Sequence, residues 1–315
     1  MITVAGEALI DLVGLGDGDY RAVPGGAPAN VAIALARLGV PTTLLARISR
    51  DAFGRRLRDH LSSNGVLLDA VVDASQPTTL AVAGLDAAGR AAYDFYVQGS
   101  ADWQWRADEL PATLPAGTAA LAVGSLALAL PPGAQVLERL AERERRRGLA
   151  IAYDPNIRPA LARSPADERL RVERQVAASS IVKCSDEDAG WLYPGEPVEQ
   201  VARRWLGLGP DLVVLTLGPS GALAVNEGAG LVHRGGRTVD VVDTVGAGDS
   251  FLAGLLAGML GAGLLGPASP ARRLADAGTL GPLLDRAILI SALTCARRGA
   301  DPPDTRQVAA AAAFE

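Results

Sequence analysis

Residues 243–254 read Asp-Thr-Val-Gly-Ala-Gly-Asp-Ser-Phe-Leu-Ala-Gly. The apolar stretch Phe251–Leu260 behind them reads as a buried helix, and the β-branched run Thr238–Val242 ahead of them reads as a strand. A strand that passes through glycines into a helix is a building unit of an α/β sheet. Gly246, Ala247 and Gly248 then expose successive backbone N–H groups at a helix N-terminus, an anion site suited to a transferring phosphoryl group. Asp249 falls in the first turn of that helix, with its carboxylate beside the anion. It reads either as a base that takes the proton of a hydroxyl attacking phosphorus or as a first-turn acid favoured by the helix dipole.

Outward from this unit the chain alternates short β-branched runs with longer helical ones. Strands are expected at Ile2–Ala5, Thr42–Ile48, Ala119–Leu130, Leu149–Tyr153, Ile181–Lys183, Asp211–Leu217 and Ala222–Asn226. Helices are expected at Val31–Leu38, Gly54–Asn64, Gln135–Arg147, Asp167–Ala178 and Pro197–Leu206, the first with Pro28 in its first turn and Gly39 past its end. That alternation predicts an α/β fold, a doubly wound and mostly parallel sheet with helices on both faces, in one domain over residues 1–315. Glu7–Pro24 and Pro77–Gln98 break the rhythm and read as β-ribbons, the second around a turn at Asp86–Gly89. They predict a small antiparallel lid inserted in the core, at the strand ends where open α/β sheets bind ligands.

Composition narrows the partners. Hydrophobic residues make up 49% of the 315 and charged residues 21%, an ordinary globular balance. The net charge of −5 argues against nucleic acid, and the basic run Arg143–Arg147 reads as a solvated helix end. Two isolated cysteines, Cys184 and Cys295, predict no zinc site and no structural disulfide, which fits a reducing compartment. The N-terminus has no secretory pattern, and the uncharged stretch 110–137 is broken by prolines, so a soluble cytoplasmic protein without a membrane partner is expected.

Further stretches carry polar chemistry. No Gly-x4-Gly-Lys-Ser/Thr occurs, and Gly261–Gly266 matches Gly-x-Gly-x-x-Gly after a helix rather than a strand, so it reads as a decoy. In Pro24-Gly-Gly-Ala-Pro-Ala-Asn-Val-Ala32, Gly25 and Gly26 permit close backbone approach, and Asn30 offers a donor and an acceptor to sugar hydroxyls; the plain alternative is a turn before a helix. Asp11 near the end of the first strand region is a ligand or an edge acid. In Asp154-Pro-Asn-Ile-Arg-Pro159, Arg158 meets phosphate or makes a surface ion pair. Thr216-Leu-Gly-Pro-Ser-Gly-Ala222 is a turn that brackets a nucleotide or simply joins two strands.

Taken together these motifs resemble the ribokinase-like (PfkB) carbohydrate kinases, and within them the fructokinases, in order along essentially the whole chain. Gly25-Gly26-x-x-x-Asn30 resembles the N-terminal signature and Asp243–Asp249 the C-terminal one. The resemblance implies a ribokinase-like fold and ATP-dependent phosphorylation of a small sugar. It implies Asp249 as base and Gly246, Ala247 and Gly248 as anion hole. Asp11, Gly25, Gly26 and Asn30 would hold the sugar. Thr216, Gly218 and Gly221 would line the ATP site, with 295–299 nearby. Backbone oxygens at Asp243, Val245, Thr294, Arg297 and Gly299 would form a K⁺ site, and Mg²⁺ would arrive with ATP. A homodimer through the lid is a further implication.

The chain departs from the family where Asn-x-x-Glu is common and Lys183-Cys-Ser-Asp186 stands, which assigns Lys183 and Asp186 to the nucleotide side. Tyr96-Val-Gln98 resembles members acting on keto-deoxy sugar acids, but those pair the substrate carboxylate with Arg near the place of Gln98. Gln98 favours a neutral sugar, and the resemblance favours fructose, converted to fructose 6-phosphate. The alternatives are 2-keto-3-deoxygluconate, ribose or a nucleoside as acceptor, or a non-catalytic sugar sensor on the same fold.

Overall fold

The structure, a computed structural model, describes residues 1–16, 18–85, 91–266 and 277–313. The chain opens with β1 (Ile2–Ala5), β2 (Leu9–Gly16), β3 (Asp19–Gly25), α1 (Ala27–Arg37), β4 (Thr42–Leu45), β5 (Arg47–Ser49), α2 (Ala52–Ser63) and β6 (Val72–Ala74). It continues through β7 (Leu80–Leu85), β8 (Ala91–Tyr96), β9 (Ala120–Gly124), α3 (Gly133–Arg146), β10 (Ala150–Asp154), α4 (Pro165–Ala177), β11 (Ile181–Ser185), α5 (Asp186–Leu192) and α6 (Val198–Leu206). The last elements are β12 (Leu212–Thr216), β13 (Ala222–Asn226), β14 (Gly230–Arg234), α7 (Ala247–Gly261), α8 (Ala277–Cys295) and α9 (Thr305–Ala312). Polar caps set several helix starts: Asp51 accepts the Gly54 N–H at 2.7 Å and Ser185 the Asp188 N–H at 3.0 Å.

The main sheet has the order β14-β13-β12-β11-β10-β9-β1-β4 and is parallel up to the antiparallel β12-β13-β14 edge. Alternate residues of its central strands feed two cores. Val4, Ala122 and Ala152 pack with α1, α7 and α8 on one face, while Leu121, Ile151 and Tyr153 pack with α3, α4 and α6 on the other. Strand order reverses at β1, flanked by β4 and β9, so the crevice at the carboxyl ends of β1, β9 and β10 is where a ligand fits this architecture. The chain leaves β1 there to build a separate four-stranded sheet, β3-β2-β7-β8, mixed rather than antiparallel as expected, because the two ribbons join through the parallel β2-β7 pair.

Several expectations need correction. Thr238–Val242 is not a strand: β14 already forms the sheet edge, and Val241 and Val242 are 63% and 61% exposed. Ala119–Leu130 is a strand only to Gly124, because Ser125 turns to φ 56° and opens a 3-10 turn. Thr42–Ile48 divides into β4 and β5. The helix after the glycines begins at Ala247 rather than Phe251. The Asp86–Gly89 turn lies outside the described residues except for its flanking strands, as does 267–276 of the connection before α8. The run Arg143–Arg147 does end α3, with Arg146 and Arg147 exposed, and Arg145 and Arg147 also donate to the Ser179, Gly209 and Ala112 carbonyls. Among the described residues no helix is long and apolar enough to cross a membrane.

Candidate active site

Residues far apart in sequence meet where α7 begins. Gly246 caps this helix in the left-handed conformation, φ 77°, and no side chain caps the end. The Ala247 N–H turns back to the Thr244 carbonyl at 3.2 Å, so the outward anion site rests on the amides that follow it in the first turn, those of Gly248 and Asp249. α7 is hydrophobic all round because α1 and α8 cover it, which fixes its N-terminus against the crevice.

The Asp249 carboxylate is 9% exposed and accepts from Asn30 Nδ2 at 2.8 Å. Burial pushes its pKa up to about 6, and Asp154 adds to the rise. The Asn30 hydrogen bond and the charges of Lys183 and Arg158 oppose it. The carboxylate is thus ionised at neutral pH yet close enough to its pKa to accept a proton. A narrow cleft opens against it, lined among others by Pro28, Ser125, Asp154 and Asn156. Ser125 and Asn156 are the two non-glycine residues with positive φ among the described residues, at 56° and 41°. Backbone strain of this kind collects at functional sites.

Lys183 lies under the anion site. Its ammonium is 2.9 Å from Asp154, with both side chains buried. A Cβ at position 248 would stand 2.8 Å from Lys183 Nζ, so the absence of a side chain there lets the ammonium reach the helix terminus. Burial pulls the Lys183 pKa down, but the charge and hydrogen bond of Asp154, with the charges of Asp249 and Asp188, raise it overall. The lysine is therefore a fixed cation.

Asp11 approaches from β2. A Cβ at position 25 would collide with its carboxylate, so Gly25 on the paired β3 is what lets Asp11 lie across the ribbon. Burial raises Asp11 to about 6; Arg158 lowers it and Asp249 raises it. Arg158 holds itself by Nη1 to the Asn156 side chain at 2.7 Å and to two backbone carbonyls. In the register Asp11↔Ala81↔Phe95 and Val13↔Ala83↔Tyr93, Tyr93 and Phe95 share the face of Asp11. Tyr93 accordingly feels Asp11, Arg158 and Asp243, which with burial move its pKa up overall. Tyr96 shares the opposite face with Leu80 and is 65% exposed, and Gln98 is exposed beyond the strand end.

The structure also separates the acids of α5. Asp186 is half-buried and accepts the Glu187 N–H at the helix start. Asp188 is raised to about 6 by burial and by Asp154, with Lys183, the Ser185 hydrogen bond and Arg158 opposing, so it belongs to the buried charge cluster. Sequence reasoning missed Asp188 and Tyr93. The available signals were the Ser185-x-x-Asp188 cap and the period of two in β8.

Across the anion site, Thr216 ends β12 opposite Ser185. Gly218 and Gly221 shape the turn to β13, where a side chain at 221 would strike the Arg234 carbonyl. On the far side of Gly246, Asp243 accepts N–H groups from Val245 at 3.1 Å and Gly299 at 2.8 Å. The Cys295 carbonyl receives Val242 and Asp243 at 2.9 and 3.2 Å. This brings the carboxyl end of α8, with its surplus carbonyls, to the turn beside the anion site. Thr294 is buried, with its hydroxyl on Ser250 Oγ and the Ile290 carbonyl, and its own carbonyl accepts the Arg297 N–H. Arg297 is half-buried. Among the described residues no group of three or more His, Cys, Asp or Glu forms a metal cluster.

The sequence model described as "pfkB family carbohydrate kinase" matches residues 1–304. A fructokinase of Klebsiella pneumoniae is 37% identical over 265 residues, covering 84% of this chain and 85% of that protein. A crystal structure of fructokinase with bound ATP from Xylella fastidiosa superposes with a TM-score of 0.91 at 25% identity, over 100% of this chain and 99% of the other. A fructokinase double mutant from Vibrio cholerae O395, solved with fructose, ADP and a potassium ion, superposes with a TM-score of 0.83 at 30% identity, over 100% and 98%.

Proposed function

Because the chain belongs to the pfkB family of carbohydrate kinases, we propose that it transfers the γ-phosphoryl group of ATP to fructose, forming fructose 6-phosphate, with Asp249 as the base. The observation that carries the reading is the placement of a buried carboxylate, raised to about 6, in the same helix turn as an uncapped N-terminus. One geometry then presents the base and the phosphoryl group to the same hydroxyl oxygen. Asp249 takes the hydroxyl proton as the O–P bond forms, and the bond to the leaving ADP breaks. The amides of Gly248 and Asp249, in the turn that Gly246 opens, and the Lys183 ammonium receive the charge on the transferring group.

Asn30 keeps Asp249 ionised and aimed, and with Asp11, Gly25 and Gly26 it holds the sugar. Tyr93 and Phe95 cover that sugar from β8, with Gln98 beyond the strand end, while Tyr96 faces away from it. Arg158 faces the acidic cluster from the end of β10, suited to the phosphate as it moves. A neutral acceptor fits because Gln98 carries no charge to pair a substrate carboxylate. Thr216, Gly218 and Gly221 line the nucleotide side. Asp188, with Asp186 at the helix start, suits the waters of the Mg²⁺ that comes with ATP. The oxygens of Asp243, Val245, Thr294, Arg297 and Gly299 fit a K⁺ ion, a hard cation that takes oxygen donors; bound, it would stiffen the turn at Gly246. The β3-β2-β7-β8 sheet acts as a lid. Its exposed Tyr20 and Tyr96, on the face turned away from Asp11, suit a second copy of the chain, giving a homodimer. Two free cysteines and the use of ATP fit the cytoplasm.

The test is ADP release coupled to a reporter enzyme, run over fructose, tagatose, ribose, 2-keto-3-deoxygluconate and nucleosides. Fructose is expected to have the highest kcat/KM. A higher value for another acceptor would move the substrate assignment, and release with none would remove the kinase reading.

A further inference from the structure

Two carboxyl groups that the proposed chemistry does not use are buried where the second sheet joins the first. Glu7, between β1 and β2, is 1% exposed, and Asp102, in the 3-10 turn that follows β8, is 2% exposed. Glu7 is occupied by the Ala127 N–H at 3.0 Å. Asp102 is placed differently. One of its oxygens accepts the Ala8 N–H at 3.0 Å, immediately before β2, and the other accepts the Thr79 hydroxyl, immediately before β7. The Thr79 hydroxyl also lies 2.7 Å from that of Ser100, and the Thr79 carbonyl accepts the Ile10 N–H at 3.0 Å. The Ala101 N–H reaches the Pro77 carbonyl at 2.9 Å, and Arg47 from β5 donates to the Ala101 carbonyl at 2.8 Å. Three crossings between core and lid, at residues 8, 79 and 100–102, therefore converge on one buried carboxylate.

We infer that Asp102 is a positioning residue for phosphoryl transfer, tying the roots of β2, β7 and the segment after β8 in one register so that Asp11 keeps its place over the base. The inference rests on the kinase reading and on the lid proposed above. Asp11 is three residues beyond Ala8 along β2, about 10 Å at strand rise, so a small displacement at the root is carried to the sugar. The core strands do not use these bonds, so loosening them disturbs the lid before the fold. Burial, opposed by the Thr79 and Ala8 hydrogen bonds and by Arg47, leaves Asp102 near pKa 7. Asp102→Asn keeps the side chain's size, an oxygen to accept the Ala8 N–H and an amide that can donate to the Thr79 oxygen, so it is a close replacement.

The experiment compares wild type with Thr79→Val, Asp102→Asn and Asp102→Ala. It measures kcat, the KM for fructose, the ADP released per fructose phosphate formed, and thermal melting. Thr79→Val removes one hydrogen bond to the carboxylate and is expected to raise the fructose KM about tenfold. It is also expected to lift the ADP ratio above one, because a loosely seated lid admits water. Asp102→Asn should stay within about threefold of wild type. Melting lowered in Thr79→Val with KM and ratio at wild-type values would overturn the inference, and that variant decides even if Asp102→Ala fails to fold. If wild type phosphorylates no sugar, the kinase reading has failed separately. Hydrogen exchange over 9–16 and 93–96 still tests the tie, and equal protection in wild type and Thr79→Val would reject it.

Discussion

Replacing Asn30 by alanine deletes the 2.8 Å hydrogen bond to Asp249 but leaves the carboxylate buried. A hydrogen bond to a charged group contributes about 1.5–3 kcal/mol, and 1.36 kcal/mol is one pKa unit, so the ionised form loses ~1–2 units of support. Asp249 should move from about 6 to ~7–8. The sign follows from which form is stabilised: Asn30 donates to the carboxylate, so its loss favours the protonated, inactive acid. The acid limb of kcat/KM for fructose, measured at saturating nucleotide and Mg²⁺, should rise by the same ~1–2 pH units. At pH 7 the titration alone costs ~2–10-fold, recovered by about pH 9. Loss of contact between Asn30 and the sugar would lower the whole profile without moving its limb, and the terminal phosphate of ATP titrates alike in both proteins. A limb that stays put while the rate falls evenly at every pH would refute the idea that Asn30 tunes the base.

Lys183→Met leaves Asp154 buried without its partner at 2.9 Å and should destabilise the protein by about 3–5 kcal/mol near pH 7, seen in urea melts, while kcat also falls. Glu7 is raised from 4.5 to about 7 by burial, so the stability it contributes is complete below about 4.5 and is lost as pH rises through 7. Glu7→Gln removes that loss and should fall in stability by ~2–3 kcal/mol less than wild type between pH 5 and 8; parallel curves would show that Glu7 is not the titrating group. Activity should rise with K⁺ over Na⁺ through the Asp243–Gly299 turn, and full activity without K⁺ would retire the cation site while leaving the transfer chemistry in place.

The glycine turn that opens α7 was legible because it is local: glycines, an acid and an apolar helix follow one another within 243–260. The same local logic failed at Thr238–Val242, where β-branched residues run along the surface past the sheet edge. It gave no helix at α8 either, where Gly281 and Pro282 interrupt the local pattern although Leu280, Leu284 and Ile288 pack with α7 in one core. The choice between Asp186 and Asp188, or Tyr96 and Tyr93, depends on which face a short element presents, and neighbours distant in sequence decide that. No spacing rule reveals that Asn30 meets Asp249 across 219 residues, or that Lys183 lies beneath Gly248.

The central claim is that Asp249 accepts the proton, and Asp249→Asn tests it with the shape of the side chain nearly unchanged. Positioned bases are typically worth ~10²–10⁴-fold, so kcat should fall by at least ~100-fold with little change in fructose affinity or melting temperature. A first-turn acid serving only the helix dipole would instead cost about 0.3–1 kcal/mol of stability and spare turnover. Turnover and melting measured on this one variant separate the two: near-normal kcat in Asp249→Asn would contradict the mechanism.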